Sequence, residues 1–334
     1  MKKKVFKVGL VGCGLIGKKR AKALNSNGKL VACSDTNILH AKSLSKDSDV
    51  KIYTDWRELV TSKEVEIVII ATTHDSLAKI TKLAAENGKH ILVEKPGAKN
   101  VSEIDKIISI EKKYPVKIHV GFNHRFHKSL LKAQEIINSG ELGDLMFLRG
   151  RYGHGGRIGY EKEWRADPKL SGGGELIDQG AHLIDLSRWF LGEICDVQGF
   201  ACNYFWNMPV EDNGFMILKT SEKKVAFLQA SCTEWKNLFS LEIYGRHGKL
   251  DLSGLGGSYG LEKITLYKML PEMGPPKTIS WEYPMADNSW EVEINDFFEN
   301  IRLNKVPNTR LNDARAVLLT IETIYKNSGY DYNT

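Results

Sequence analysis

Val5-Phe6-Lys7-Val8-Gly9-Leu10-Val11-Gly12-Cys13-Gly14-Leu15-Ile16-Gly17 is the stretch that decides the fold. Its first seven residues, broken only by Lys7, read as an opening buried strand, and a full G-x-G-x-x-G follows them. Lys18 to Asn25 then has helical composition. In a dinucleotide site each glycine has a task. Gly12 permits the tight turn, Gly14 lets a pyrophosphate approach the backbone, and Gly17 lets the helix pack close to the strand. The helix start, with Leu15 and Ile16, offers N–H groups and a positive dipole end to phosphates.

The next strand tests this reading. Lys29 to Ser34 is apolar and β-branched, and Asp35 ends it, about 20 residues beyond the glycines, where an acid binds the adenosine ribose hydroxyls. A carboxylate there also repels a 2′-phosphate, which favours NAD over NADP. Asp35 is equally suited to cap a helix starting near Ile38.

Further outward, apolar strand-like segments alternate with helical ones: Lys51 to Tyr53, Trp56 to Leu59, Glu66 to Ala71, Ser76 to Asn87, His90 to Val93, Val101 to Lys113 and Val116 to Gly121. Such alternation predicts a parallel, doubly wound sheet. Thr72, Thr73 and His74 stand at one carboxyl strand end and Asn123 just beyond another, where ligands of open α/β sheets bind. Leu92-Val93-Glu94-Lys95-Pro96-Gly97 places Glu94 and Lys95 at a third such end, stopped by the proline. The Lys95 ammonium could stabilise negative charge on a substrate oxygen there.

The second half changes character. Glycine-rich segments, Gly153 to Arg157 and Ser171 to Gly174, frame a loop of over 20 residues, and loops of that length inside compact domains are usually functional. Trp164 and Arg165 lie in it, suited to stack on a ring and to hold a phosphate or hydroxyl. A helix is expected over Glu175 to Leu191, with Asp178 and His182 at i, i+4, on one face one turn apart. A carboxylate there can orient the imidazole or stabilise its protonated form, and His182, with a pKa suited to neutral pH, would be the general base. Strands over Val197 to Phe205, Phe215 to Thr220, Val225 to Thr233, Phe239 to Tyr244 and Lys249 to Leu252 follow without long helices between them, as in an antiparallel sheet. Leu255 to Gly260, with Tyr259, reads as a hairpin loop or a substrate loop. Two amphipathic helices, Trp290 to Leu303 and Leu311 to Asn327, close the pattern.

The length of 334 residues suits about two domains. A formal net charge of +6 with scattered basic residues gives no nucleic-acid footprint, and Lys2-Lys3-Lys4 reads as a solvated tail. The five cysteines include no Cys-x-x-Cys, so neither a disulfide framework nor a thiolate metal site is expected. His119, His124 and His127 lack a carboxylate or cysteine to complete a metal set. The first apolar run is too short for a secretory leader and no stretch suffices for a membrane helix, so a cytoplasmic protein is expected.

Taken together, Gly12-x-Gly14-x-x-Gly17, Asp35, Glu94-Lys95-Pro96, Asn123-x-Arg125, and Asp178-x-x-x-His182 after Ser171-Gly172-Gly173-Gly174 resemble the Gfo/Idh/MocA oxidoreductases in kind and order. The resemblance implies a Rossmann domain over residues 1–122, with a helix at about 309–327 packing back on it. It also implies an α+β domain over 123–308 with a large, mostly antiparallel open sheet. That second domain would bind substrate and form a homodimer or homotetramer through the sheet. The resemblance further implies that Lys95 bonds the reacting oxygen, His182 exchanges its proton and Asp178 supports the same site. Gly12, Gly14, Leu15, Ile16, Gly17, Asp35, Thr72, Thr73, His74, Glu94, Lys95, Asn123, Trp164 and Arg165 are the candidate cofactor residues. Lys95, Asn123, Arg157, Arg165, Asp178, His182 and Tyr259 are those for substrate.

The expected activity is NAD-dependent hydride transfer at a secondary hydroxyl or keto carbon of a sugar. Arg149, Arg151, Arg157 and Arg165 point to an activated or phosphorylated one. An inositol or free-sugar dehydrogenase, an NAD-dependent redox glycosidase and a noncatalytic sensor are the alternatives.

Overall fold

The computed structural model describes residues 4–45 and 49–330. Lys2 and Lys3 of the basic run lie outside them, while Lys4 pairs with Glu66. Contacts divide the chain into two compact units. One is the chain up to Phe122 with Trp290–Leu318, the other Asn123–Ser289 with the chain from Leu319 onward.

In the first unit β1 (Phe6–Val11), β2 (Gly28–Ser34), β3 (Lys51–Tyr53), β4 (Ile67–Ile70), β5 (His90–Glu94) and β6 (Ile118–Gly121) alternate with helices. These are α1 (Leu15–Ala23), α2 (Ile38–Ser45), α3 (Trp56–Thr61), α4 (His74–Glu86) and α5 (Val101–Glu111). The strands pair in the order β3-β2-β1-β4-β5-β6, every neighbouring pair parallel. All four residues of β4 are buried, as a strand covered on both faces demands. The strand order reverses between β1 and β4, so the crevice at their carboxyl ends is where such a sheet binds a ligand. The glycine loop follows β1, and Thr72, Thr73 and His74 follow β4.

Helix α9 (Ser289–Arg302) supplies Ile294, Phe297 and Phe298 to the core formed by Phe6, Val8, Leu10 and Ile67. The sequence reading assigned this helix to the second domain; its apolar stripe instead packs in the first unit. Helix α10 (Leu311–Asn327) begins in that unit, where Arg315 Nε bonds Asp105 at 2.6 Å. It ends in the second, where the Tyr325 hydroxyl donates to Glu211 at 2.7 Å.

In the second unit, α6 (Lys128–Asn138) precedes β7 (Leu145–Gly153), and α7 (Pro168–Ser171) and α8 (Ala181–Leu191) follow. Next come β8 (Ile194–Cys202), β9 (Asn213–Thr220), β10 (Val225–Ser231), β11 (Leu238–Gly245), β12 (Lys249–Ser253), β13 (Glu262–Lys268) and β14 (Lys277–Tyr283). The sheet order is β14-β13-β12-β11-β7-β10-β9-β8, antiparallel except for the β7–β10 pair. Leu148, Gly150 and Tyr152 of β7 are buried while Phe147, Arg149 and Arg151 alternate onto the exposed face.

Candidate active site

The first unit contributes a phosphate cradle. Gly12 adopts a φ of 90°, and a Cβ there would meet the Ala71 carbonyl oxygen at 2.3 Å. A Cβ on Gly17 would stand 1.9 Å from the Gly12 oxygen, whereas around Gly14 nothing lies within 4 Å. The chain thus closes tightly at two glycines and stays open at the third. Helix α1 has Gly14 at its cap, no side chain bonding its first amides, and no acid in its first turn, so Leu15 and Ile16 begin a helix end suited to an anion.

Asp35 stands beside this loop, and its Oδ2 accepts from the Cys13 amide at 2.6 Å. Its Oδ1 accepts from Asn37 N at 2.7 Å, while Asn37 Oδ1 accepts from Leu39 N at 3.0 Å. Asn37 therefore tends the start of α2, and Asp35 braces the glycine loop. Thr73 precedes α4, its hydroxyl bonded to Asp75 at 2.6 Å, and the Thr72 hydroxyl donates to the Thr73 carbonyl at 3.2 Å. His74 is the first, buried residue of α4. An open glycine, a free helix start and a carboxylate at the second strand's end together fit an NAD pyrophosphate and ribose.

Glu94 ends β5, and its Oε1 accepts from Arg20 Nε at 2.6 Å. Arg20 is fully buried, and its other arm bonds Glu293 of α9. Glu293 in turn lies 3.2 Å from His119 Nε2 on β6. Burial pushes the Glu94 carboxyl up against the pull of Arg20, whereas Arg20 and His119 overcome burial at Glu293 and bring it down. Glu94 thus anchors the strand end from which Lys95 departs, through a cis Lys95–Pro96 peptide.

The second unit carries a polar and aromatic cluster of its own. Asn123 opens a short helical turn, Asn123–Phe126, and donates to Ser289 Oγ at 3.1 Å. The expected helix from Glu175 is not regular. Leu176–Gly180 forms a wider π-type turn before α8, so Asp178 and His182 sit on two helical geometries rather than one. Such insertions recur at functional sites. Asp178 Oδ2 accepts from Arg165 Nε at 2.7 Å, and that carboxylate raises the Arg165 guanidinium further. Arg165 also lies 4.7 Å over the Trp164 ring.

His182 stacks on His124 with centroids 3.6 Å apart, and Tyr152 stands edge-on to both at 6.0 and 5.0 Å. Tyr259 meets Tyr152 at 5.0 Å, so its loop, closed by a Gly257–Gly260 bridge, is a hairpin turn that also lines this group. Asp178, His182, Arg165, Trp164 and Tyr259 are thereby gathered into one cluster. Arg157 stays exposed and pairs with Glu163 at 2.6 Å, and Arg149 pairs with Glu242 at 2.7 Å on the outer face of the sheet. Arg157 and Arg165 thus meet at Glu163, the latter at 3.9 Å, while Arg149 stands apart on the sheet.

His124, Tyr152, His154, Tyr160 and Glu175 were not singled out as site residues by sequence. His124 was weighed only as a metal ligand, Tyr152 closes the buried alternation of β7, and no local pattern marked the other three. Among the described residues no three metal-ligating side chains group closely enough to hold a metal ion.

Residues 6–122 match the model of the oxidoreductase family with an NAD-binding Rossmann fold, and residues 130–251 match the GFO/IDH/MocA C-terminal domain. The chain belongs to the Gfo/Idh/MocA family. It is an NAD-binding oxidoreductase. A levoglucosan dehydrogenase of Pseudarthrobacter phenanthrenivorans is 27% identical over 235 residues, 64% of this chain but only 58% of that protein's length. An inositol 2-dehydrogenase of Salmonella paratyphi B is 24% identical over 310 residues, 90% of this chain and 88% of the other. The solved levoglucosan dehydrogenase with NADH and levoglucosan superposes with a TM-score of 0.88 at 21% identity, covering 98% of each chain, which shows the shared fold. Among the described residues no helix is long and apolar enough to cross a membrane.

Proposed function

We propose that the protein is a dehydrogenase of a secondary hydroxyl in a sugar-type polyol. The single observation that carries this is the Asp178–Arg165 pair on the turn preceding His182, walled by Tyr152, His124 and Tyr259. Polar tips on aromatic bodies suit a hydroxylated ring. When bound, NAD supplies the hydride acceptor. His182 takes the hydroxyl proton, Lys95 stabilises the charge growing on that oxygen, and Asp178 with Arg165 fixes a neighbouring hydroxyl. Asn123, Glu94 and Trp164 act by holding the surrounding backbone and rings in place.

The relatives named for inositol and levoglucosan support a neutral polyol. A phosphorylated or nucleotide-linked sugar is the narrower alternative, which Arg165, with Arg157 beside it on Glu163, would serve. NADH formation should be followed with inositols, free and anhydro sugars, sugar phosphates and nucleotide sugars. Turnover with none of them, in protein that binds NADH, would rule the reading out. Sugar released from a glycoside without net NADH would point to redox glycoside cleavage instead.

The exposed face of the eight-stranded sheet supports a homo-oligomer. Phe147, Phe200, Ile217 and Phe227 stand out on it, Phe200 at 69% and Phe227 at 53% exposure. Light scattering of the protein and of Phe227→Glu tests this: an unmodified monomer would end the proposal.

A further inference from the structure

Glu175 carries the most informative chemistry that the mechanism does not use. It precedes the π-type turn, is 1% exposed, and its Oε1 accepts from the Tyr160 hydroxyl at 2.8 Å. Its Oε2 is buried with no hydrogen-bond partner among the described residues. Among the described residues no lysine or arginine hydrogen-bonds it, and Arg165 acts on it only through space. Arg165 gives its Nε to Asp178 and leans towards Glu163 at 3.9 Å. His154 Nε2 lies 3.6 Å from Oε1, but burial pushes that imidazole towards its neutral form. The Cys232 thiol donates to the Asp212 carbonyl at 3.7 Å and adjoins the carboxyl closely enough to turn to it, a neutral donor that brings no counter-charge. A buried carboxylate without a counter-charge is expensive, and the same group carrying a proton is not.

We propose that Glu175 is a positioning residue that works as a neutral carboxylic acid, leaving Asp178 and Arg165 as a one-to-one charge pair beside the reacting hydroxyl. This rests on the assignment of Asp178 and His182 to the substrate hydroxyls. The groups facing Glu175 come from every element around it. They are Asp178 on its own turn, Tyr160 and Arg165 from the loop, Tyr152 and His154 from the end of β7, Cys232 after β10, Glu211 before β9, and Tyr259. Burial first, and the Asp178 charge second, push the Glu175 carboxyl up to about 8. Above that pH two carboxylates face one guanidinium. The added negative charge holds a proton on neighbouring groups that must accept one, and hydroxyl oxidation slows.

Two readouts test this in the full-length protein. The infrared difference between the protein and Glu175→Gln, at neutral pH and without substrate, should contain the carbonyl stretch of a protonated carboxylic acid, lost with a midpoint near pH 8. With myo-inositol or levoglucosan as probe, kcat/KM should fall on the alkaline side of that midpoint. Glu175→Gln, which imitates the neutral acid, should keep activity within about twofold at neutral pH and lose the alkaline fall. An absent infrared band, or an alkaline limb unmoved in Glu175→Gln, would overturn the proposal. So would a tenfold or larger loss in that variant at neutral pH. Because the infrared readout needs no substrate, a wrong substrate class fails only the kinetic arm.

Discussion

Two buried acid clusters, one in each unit, contain the same elements in different balance. In the first, Arg20 lies between Glu94 and Glu293, and His119 reaches the second of these, so each carboxyl has a basic partner. In the second, Arg165 bonds Asp178 and leans towards Glu163, and Glu175 is left with a hydroxyl and an imidazole pushed towards its neutral form. The first joins four elements, α1, β5, β6 and α9, and holds backbone. The second keeps one acid charged and one protonated, and so holds a chemical potential for protons. Matched charge makes structure, and mismatched charge makes a site.

The comparison breaks most severely at its first member. Arg20→Leu would leave Glu94 without its basic partner and Glu293 with His119 alone, and should cost about 3–5 kcal/mol of stability, read by urea unfolding. A loss below about 1 kcal/mol would mean that the cluster is not the anchor described. Next, Lys95→Ala and His182→Ala should each lower kcat by roughly two orders of magnitude or more, with NADH affinity kept. Near-normal turnover in either would remove that residue from the chemistry. Asp178→Asn should lower kcat/KM at every pH and release Arg165; loss of stability with unchanged kinetics would make it structural. Asp35→Ser should narrow the preference for NADH over NADPH, by roughly tenfold, the worth of one charge-assisted contact. Equal affinities before mutation would refute the carboxylate's role.

The smallest effect is on stability against pH, and its sign follows from which way each carboxyl is displaced. Burial raises Glu175 to about 8 and Glu211 to about 7, the latter against the amides of Gly174 and Leu176 and the Tyr325 hydroxyl. Stability from these protonated acids is complete below the unfolded carboxyl value of 4.5 and drains away as pH rises through 7 and 8. Glu262 is the opposite case. Burial pushes it up, but His127 and Ser129 outweigh that and bring it down to about 2, so its contribution is present above 4.5 and lost as pH falls towards 2. Melting temperature should therefore peak on the acid side of neutrality, and Glu211→Gln should flatten the alkaline slope. A melting temperature that climbs from pH 6 to 8 would contradict this.

Local pattern made the first unit legible. The glycine spacing, Asp35 and the apolar runs of β1, β4 and β5 each declare themselves within a few residues. What escaped was long-range or weakly patterned. Strands β13 and β14 alternate polar residues, and β14 is mostly exposed, so no apolar run announces them. Arg20 finds Glu293 across 273 positions, which no spacing rule anticipates. Asp178 and His182 stood out by their position after the glycines, but the π-type turn between them left no signature. Arg165 was read as a ligand for cofactor and substrate, and no spacing rule anticipated its bond to Asp178.

The single parallel pair in the large sheet has a consequence for how the chain reaches its native state. Strands β10 and β11 follow each other in sequence but do not touch, because β7 lies between them. On one side β8, β9 and β10 form by successive hairpin-like pairings; on the other, β11 to β14 do the same. Each half requires only short loops to close. Joining them requires a strand from about 80 residues earlier in the sequence to slot between both, and closure of such a loop is slow. Pulsed hydrogen exchange should find the β8–β10 and β11–β14 amides protected before those of β7, so that one central strand, rather than either edge, limits the speed of assembly.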